Sequence, residues 1–173
     1  RRPIALVSPD PGDGKSFLAA NLGIAFAQTG LRTLVVDADM RGPRLHELFE
    51  LRSPRGLSGA MIGCADEQMI QPVPAVPGLH LLACGAMPPN PLELVEREAF
   101  AVLMDNLPRH FEQVLVDTPA ASCGADALAI ADRCGASLLV GRRHHSSMTD
   151  LRRLAAELGE GEGRLLGVVF NDF

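Results

Sequence analysis

The only lysine of this chain, Lys15, sits in Gly12-Asp13-Gly14-Lys15-Ser16, after the short apolar run Ile4–Val7 and at the start of a helical pattern. A strand that enters a Gly-rich turn and leaves as a helix can do what few local sequences can. The amides from Gly12 to Ser16 can turn inward and cradle a phosphate chain, and the helix N-terminus adds partial positive charge. Gly14 permits close backbone approach. The Lys15 ammonium reaches β- and γ-phosphates as a mobile point charge, and the Ser16 hydroxyl suits Mg²⁺. Fifteen arginines accompany this one lysine, so its placement here carries weight. The strict G-x-x-x-x-G-K-[ST] pattern fails at Pro9, which holds the first glycine position. Two competing readings exist. One is a Gly-rich turn that only caps a helix. The other is a dinucleotide fingerprint from Gly12-x-Gly14 with Asp37 about twenty residues on. In the second, the third glycine would be residue 17, which is Phe17, and Lys15-Ser16 would have no role.

Apolar runs at Ile4–Val7, Thr33–Val36, Leu79–Ala83, Gln113–Val116, Ser137–Val140 and Leu165–Phe170 read as strands buried on both faces. Helical patterns fall between them, at 15–29, 43–50, 56–63, 92–107, 124–133 and 147–158, and Gly30 suits the end of the first. The alternation predicts one α/β domain over 1–173, with a mostly parallel sheet between helical layers. The stretches Gln71–Pro77 and Pro88–Pro91 read as loops, because proline neither continues a helix nor pairs in a central strand. No apolar run approaches the roughly 18 residues of a membrane span. A net charge of −5 and 4% aromatics, all Phe, argue against a nucleic-acid partner. Cys64, Cys84, Cys123 and Cys134 match no zinc spacing and read as free thiols, with Cys123 expected as a buried structural one. His144-His145 reads as a solvated loop pair.

Three acids follow strand-like runs. The second run ends in Asp37-Ala38-Asp39-Met40-Arg41, and the fourth in Asp117-Thr118-Pro119. Parallel neighbours would deliver Asp37, Asp39 and Asp117 to the sheet edge that carries the phosphate loop. Mg²⁺ takes one or two carboxylates besides phosphate oxygens and water, and a further carboxylate can accept a proton from an attacking hydroxyl. A solvated loop acid or a helix cap is the plain alternative for each one alone.

These motifs together resemble the bacterial tyrosine kinases of capsule and exopolysaccharide synthesis, P-loop relatives of the cell-division and partition ATPases. That family's loop reads S-x-x-P-x-x-G-K-[ST], matched by Ser8, Pro11, Gly14, Lys15 and Ser16, so Pro9 is no obstacle within it. The D-x-D-x-R motif matches Asp37, Asp39 and Arg41. D-T-P matches Asp117, Thr118 and Pro119, and P-P-N-P-x-E-L matches Pro88 to Leu94. The resemblance covers nearly the whole chain. It implies ATP held by Pro11, Gly12, Asp13, Gly14, Lys15, Ser16 and Phe17, with Arg41 as a further contact and Asn171 reading adenine. It implies Mg²⁺ on Ser16, Asp39 and Asp117, catalysis by Lys15, Asp37 and Asp39, and transfer of the γ-phosphoryl group to tyrosine. It also implies a membrane-bound polysaccharide co-polymerase, or chain-length determinant, as partner. The domain would then be cytoplasmic, peripheral at the inner membrane through that partner.

The chain departs from the family in having no tyrosine, so any acceptor lies on another chain. Only Arg1-Arg2-Pro3 precedes the first strand, where the family has an assembly helix. The expectation is therefore a core excised from, or lacking, extensions at both ends, with homo-oligomerisation open. Asp10 stands where partition and division ATPases carry an extra lysine, so a dimer built on that lysine is not expected. Two alternatives stay open: an ATP-binding switch of the same membrane partner, and a positioning ATPase.

Overall fold

The computed structural model describes residues 2–52, 55–64 and 67–172; the chain ends Arg1 and Phe173 lie outside them. In chain order the elements are β1 (Ile4–Val7), α1 (Lys15–Gln28), β2 (Thr33–Asp37), α2 (Leu45–Leu48), α3 (Leu57–Met61), β3 (Ile70–Pro72), β4 (Leu79–Leu82), α4 (Pro91–Glu96), α5 (Glu98–His110), β5 (Gln113–Asp117), α6 (Asp126–Cys134), β6 (Ala136–Arg142), α7 (Met148–Glu160) and β7 (Arg164–Asn171). One sheet runs β3-β4-β2-β5-β1-β6-β7. Every neighbouring pair is parallel except β3 with β4. One core packs residues of α5, α6 and α7 on one side of the sheet, including Phe100, Ile130 and Leu154. The other packs Ala19, Ala20 and Ala27 of α1 against Leu6, Val35 and Leu115. This is the three-layer α/β architecture expected from alternating patterns.

α1 sits close on the sheet because Gly23 has no side chain. A Cβ there would lie 2.6 Å from Val35 Cγ2 and 3.2 Å from Leu79 Cδ1. α1 begins at the phosphate loop, so this contact also fixes the loop's height above the strand ends. Gly23→Leu should overpack the layer and cost about 1–3 kcal/mol. Thermal unfolding would register that as a drop of about 2–4 °C per kcal/mol. Gly30 adopts φ 87° just past α1, and its N–H donates to the Ala27 carbonyl at 2.9 Å, as its role at the helix end requires.

Four expectations need correction. Ile70–Pro72, partly inside the expected loop, pairs antiparallel with β4 at the sheet edge, where a proline's missing donor faces no neighbour. Pro91 starts α4 rather than ending a loop, because the first helical N–H has no intrahelical partner anyway. The helix expected over 92–107 is two, divided at Arg97 with φ −65° and ψ 146°. Val95 and Phe100 are both buried yet five residues apart, about 140° around a continuous helix. The break re-phases the chain, so that Phe100, Met104 and Leu107 share one buried face. Finally, β7 is not buried on both sides. Leu165 packs on the core, while Leu166, Val168 and Phe170 on the other face are about half exposed.

Candidate functional site

The phosphate loop bends through two left-handed glycines, Gly12 at φ 87° and Gly14 at φ 93°. Gly14 is the N-cap of α1 and offers no side chain, so no side-chain oxygen takes up the first-turn amides. Uncapped amides at the start of a 14-residue helix form an anion site. Lys15 is buried, and its ammonium donates to Ser8 Oγ at 2.9 Å. Ser8 Oγ in turn donates to the Asp10 carbonyl at 2.9 Å. The turn after β5 supports the loop's entry. Thr118 Oγ1 donates to the Leu6 carbonyl at 2.7 Å, and the amides of Ala121 and Ser122 donate to the carbonyls of Ser8 and Pro9.

Asp37 and Asp117 are direct partners across the parallel β2–β5 pair, and both are fully buried. Asp37 Oδ2 accepts the Leu45 amide at 3.0 Å, which pins the start of α2. Asp37 Oδ1 and both oxygens of Asp117 have no hydrogen-bond partner. Burial pushes the Asp37 carboxyl up to about 7, opposed by the Leu45 amide and reinforced by Asp39. Burial likewise raises Asp117 to about 8; the Asp37 charge adds to this, and Ser16 and Lys15 only partly offset it. Two facing buried carboxyls with orphaned oxygens are the arrangement a divalent cation relieves. Among the described residues no cluster of three or more His, Cys, Asp or Glu could hold a metal alone. Mg²⁺ takes few protein ligands and shares phosphate oxygens and water.

Both pKa values lie above the unfolded value of 3.8, so the native protein keeps protons that the unfolded chain has released. Without metal, stability should therefore fall as pH rises from about 4 to about 8, and level off above that. Asp117→Asn removes a large share of this dependence. Its melting temperature should exceed that of the parent protein at pH 8 and approach it near pH 4, as thermal unfolding across pH in EDTA would measure.

Pro11, Gly12, Gly14, Lys15, Ser16, Phe17, Asp39 and Arg41 line one cavity of about 680 Å³, beside Leu48, Pro119 and Arg142. The structure thus unites most of the residues singled out from the sequence, with Asp37 and Asp117 buried at the ends of the strands that carry this edge. Four have partners or burial of their own. Arg41 Nε donates to the buried Asp126 at 2.7 Å, which ties the D-x-D-x-R turn to α6. Asp13 is fully buried. Asn171 Nδ2 donates to the Asp13 carbonyl at 2.7 Å. Asp39 Oδ1 accepts the amides of Arg41 and Gly42. Cys123 is exposed and lines the cavity, against the expectation of a buried structural thiol, because its turn projects over the strand ends. Burial beside Asp37 and Asp39 raises the Cys84 thiol to about 12, which keeps it protonated and inert. A larger hollow of about 970 Å³ near Met87, Pro88 and Leu94 lacks the phosphate loop and the three acids.

Sequence reading missed Asp126, Arg142 and Ser146. Asp126 opens a helix, where an acid is unremarkable. Arg142 and Ser146 meet the loop across 130 and 133 positions, and no local pattern reports that.

Residues 4–173 match the family model of the CobQ/CobB/MinD/ParA nucleotide binding domain. The chain is 38% identical to EpsB of Ralstonia solanacearum over 168 residues, 97% of this chain and 22% of that protein. It therefore spans about a fifth of the length of that relative. It is 32% identical over 170 residues to the tyrosine-protein kinase YwqD of Bacillus subtilis, covering 97% of this chain and 71% of YwqD. The kinase domain of the Escherichia coli tyrosine kinase ETK superposes with a TM-score of 0.93 at 28% identity, covering 99% of this chain and 68% of that one.

Proposed function

Because this chain belongs to the CobQ/CobB/MinD/ParA nucleotide-binding family, and within it to the bacterial tyrosine kinases, we propose that it transfers the γ-phosphoryl group of ATP to tyrosine on another chain. The observation that carries this reading is the facing pair Asp37 and Asp117, with its unpartnered oxygens, at the edge of the sheet that bears the Lys15 loop. A nucleotide-binding loop alone needs no such pair.

Lys15 and the loop amides would bind and orient the β- and γ-phosphates. Ser16, Asp39 and Asp117 would hold Mg²⁺, which when bound neutralises phosphate charge. Asp37 would accept the phenol proton as the tyrosine oxygen bonds to the γ-phosphorus and the bond to the bridging oxygen breaks, leaving ADP. Its carboxyl, poised near neutrality by burial, suits a base. Arg41, held by Asp126, would face the phosphates from the opposite wall.

By the same family resemblance, the activity would serve exopolysaccharide or capsule synthesis with a membrane co-polymerase partner. Among the described residues no helix is long and apolar enough to cross a membrane. A second reading, an ATP-driven switch of that partner, draws on the absence of any tyrosine in the chain. Incubation with Mg-ATP and a tyrosine-bearing peptide separates the two. The kinase reading expects phosphotyrosine on the peptide, and nucleotide binding with no phosphotyrosine would support the switch.

A further inference from the structure

The phosphate loop contains an acid, which Coulomb repulsion should disfavour beside a bound polyphosphate. Asp13 is fully buried, and both its carboxylate oxygens are engaged. Oδ2 accepts the Asp10 amide at 3.0 Å, and Oδ1 accepts the Ser146 hydroxyl at 2.6 Å. Ser146 Oγ also accepts the Arg142 amide at 2.7 Å, so the hydroxyl is fixed in direction. Two loop carbonyls are held from the same side. Asn171 Nδ2 donates to Asp13 at 2.7 Å, and Arg142 Nη1 donates to Gly12 at 3.2 Å. The end of β6, the turn after it and the end of β7 thus grip the one part of the loop that contains two left-handed glycines.

We propose that Asp13 and Ser146 form a brace that holds the phosphate loop in its binding conformation, as positioning residues that do not touch the nucleotide. The inference rests on the nucleotide-binding reading and changes the expected part of Asp13 from ligand to keystone. Glycines lose more conformational freedom on ordering than other residues, and a loop ordered only on binding weakens affinity by that amount. The carboxylate supplies the ordering from beneath, while its charge is satisfied by an amide and a hydroxyl and turned away from the anion. The part-buried Asp13–Ser146 contact joins segments 133 positions apart, so the turn at 142–147 and the loop move together.

The test titrates Mg-ADP into wild type, Ser146→Ala, Ser146→Thr, Asp13→Asn and the Asp13→Asn/Ser146→Ala double variant, with thermal unfolding measured without nucleotide. Ser146→Ala should weaken Mg-ADP about tenfold, equivalent to about 1.4 kcal/mol, and also lower the melting temperature, since it leaves a buried carboxylate oxygen without its donor. Ser146→Thr, which keeps the hydroxyl, should restore most of the affinity. The double variant should bind no worse than the weaker single one, since both break the same contact. Wild-type affinity in Ser146→Ala overturns the brace. So do fully additive effects, which would mean that Asp13 acts on the nucleotide directly. If Asp13→Asn fails to fold, the Ser146 pair still decides. Failure of the wild-type protein to bind Mg-ADP would overturn the nucleotide reading and the brace with it, whereas normal wild-type binding with an unaffected Ser146→Ala overturns the brace alone.

Discussion

Asp37→Asn should lower transfer to a tyrosine peptide by about 10²–10⁴-fold, the range over which a positioned general base contributes. Mg-ADP affinity should change little by comparison. Asparagine keeps the oxygen that accepts the Leu45 amide, so α2 stays pinned while the proton acceptor is gone. Removing the charge also relieves Asp117, whose carboxyl is raised partly by Asp37, so the variant should melt no lower than the parent at pH 8. A rate loss combined with intact binding and intact stability is the signature of a base. A parallel loss of Mg-ADP binding would place Asp37 among the ligands instead. Rates at saturating Mg-ATP, with Mg-ADP titrations alongside, distinguish the two.

Lys15→Met should weaken Mg-ATP by about a hundredfold or more, since a charge-assisted bond to a phosphate contributes about 1.5–3 kcal/mol and Lys15 can make more than one. Methionine fills the space of the buried stem, so the fold should survive. Ser8 loses the donor it now accepts at 2.9 Å, a smaller penalty visible in the melting temperature alone. Lys15→Arg should fail too. Its planar fork needs more room than the ammonium occupies between Ser8 and the loop, and it cannot serve as a compact point charge. This matches a chain in which arginine outnumbers lysine fifteen to one and the single lysine stands here. Calorimetric titration with Mg-ATP measures both variants. Wild-type affinity in Lys15→Met would remove Lys15 from the site.

The central sheet and the site's two walls were legible because each is local. A strand end followed by an acid places that acid at the carboxyl edge, and parallel pairing then sets Asp37 opposite Asp117. The Gly14-Lys15-Ser16 turn carries its own geometry. Other features lacked a local signal. β3 is three residues long and ends in proline, too short for a period to appear. The break at Arg97 depends on which apolar residues reach the core, and composition over 92–107 does not state that. Cys123 reads as an ordinary small hydrophobe until its turn is seen projecting over the cavity. The D-x-D-x-R motif gives no sign of Asp126, 85 positions away, which holds the Arg41 guanidinium. Ser146 has no motif at all; only tertiary contact brings its hydroxyl to Asp13.

The most direct test of the central claim is a single-turnover reaction with γ-labelled Mg-ATP, excess protein and a tyrosine-bearing peptide, following where the label goes. The account predicts label on the peptide's tyrosine, appearing as ADP forms and slowed about 10²–10⁴-fold in Asp37→Asn. Bound ATP that stays intact, or label released only as inorganic phosphate, would contradict it.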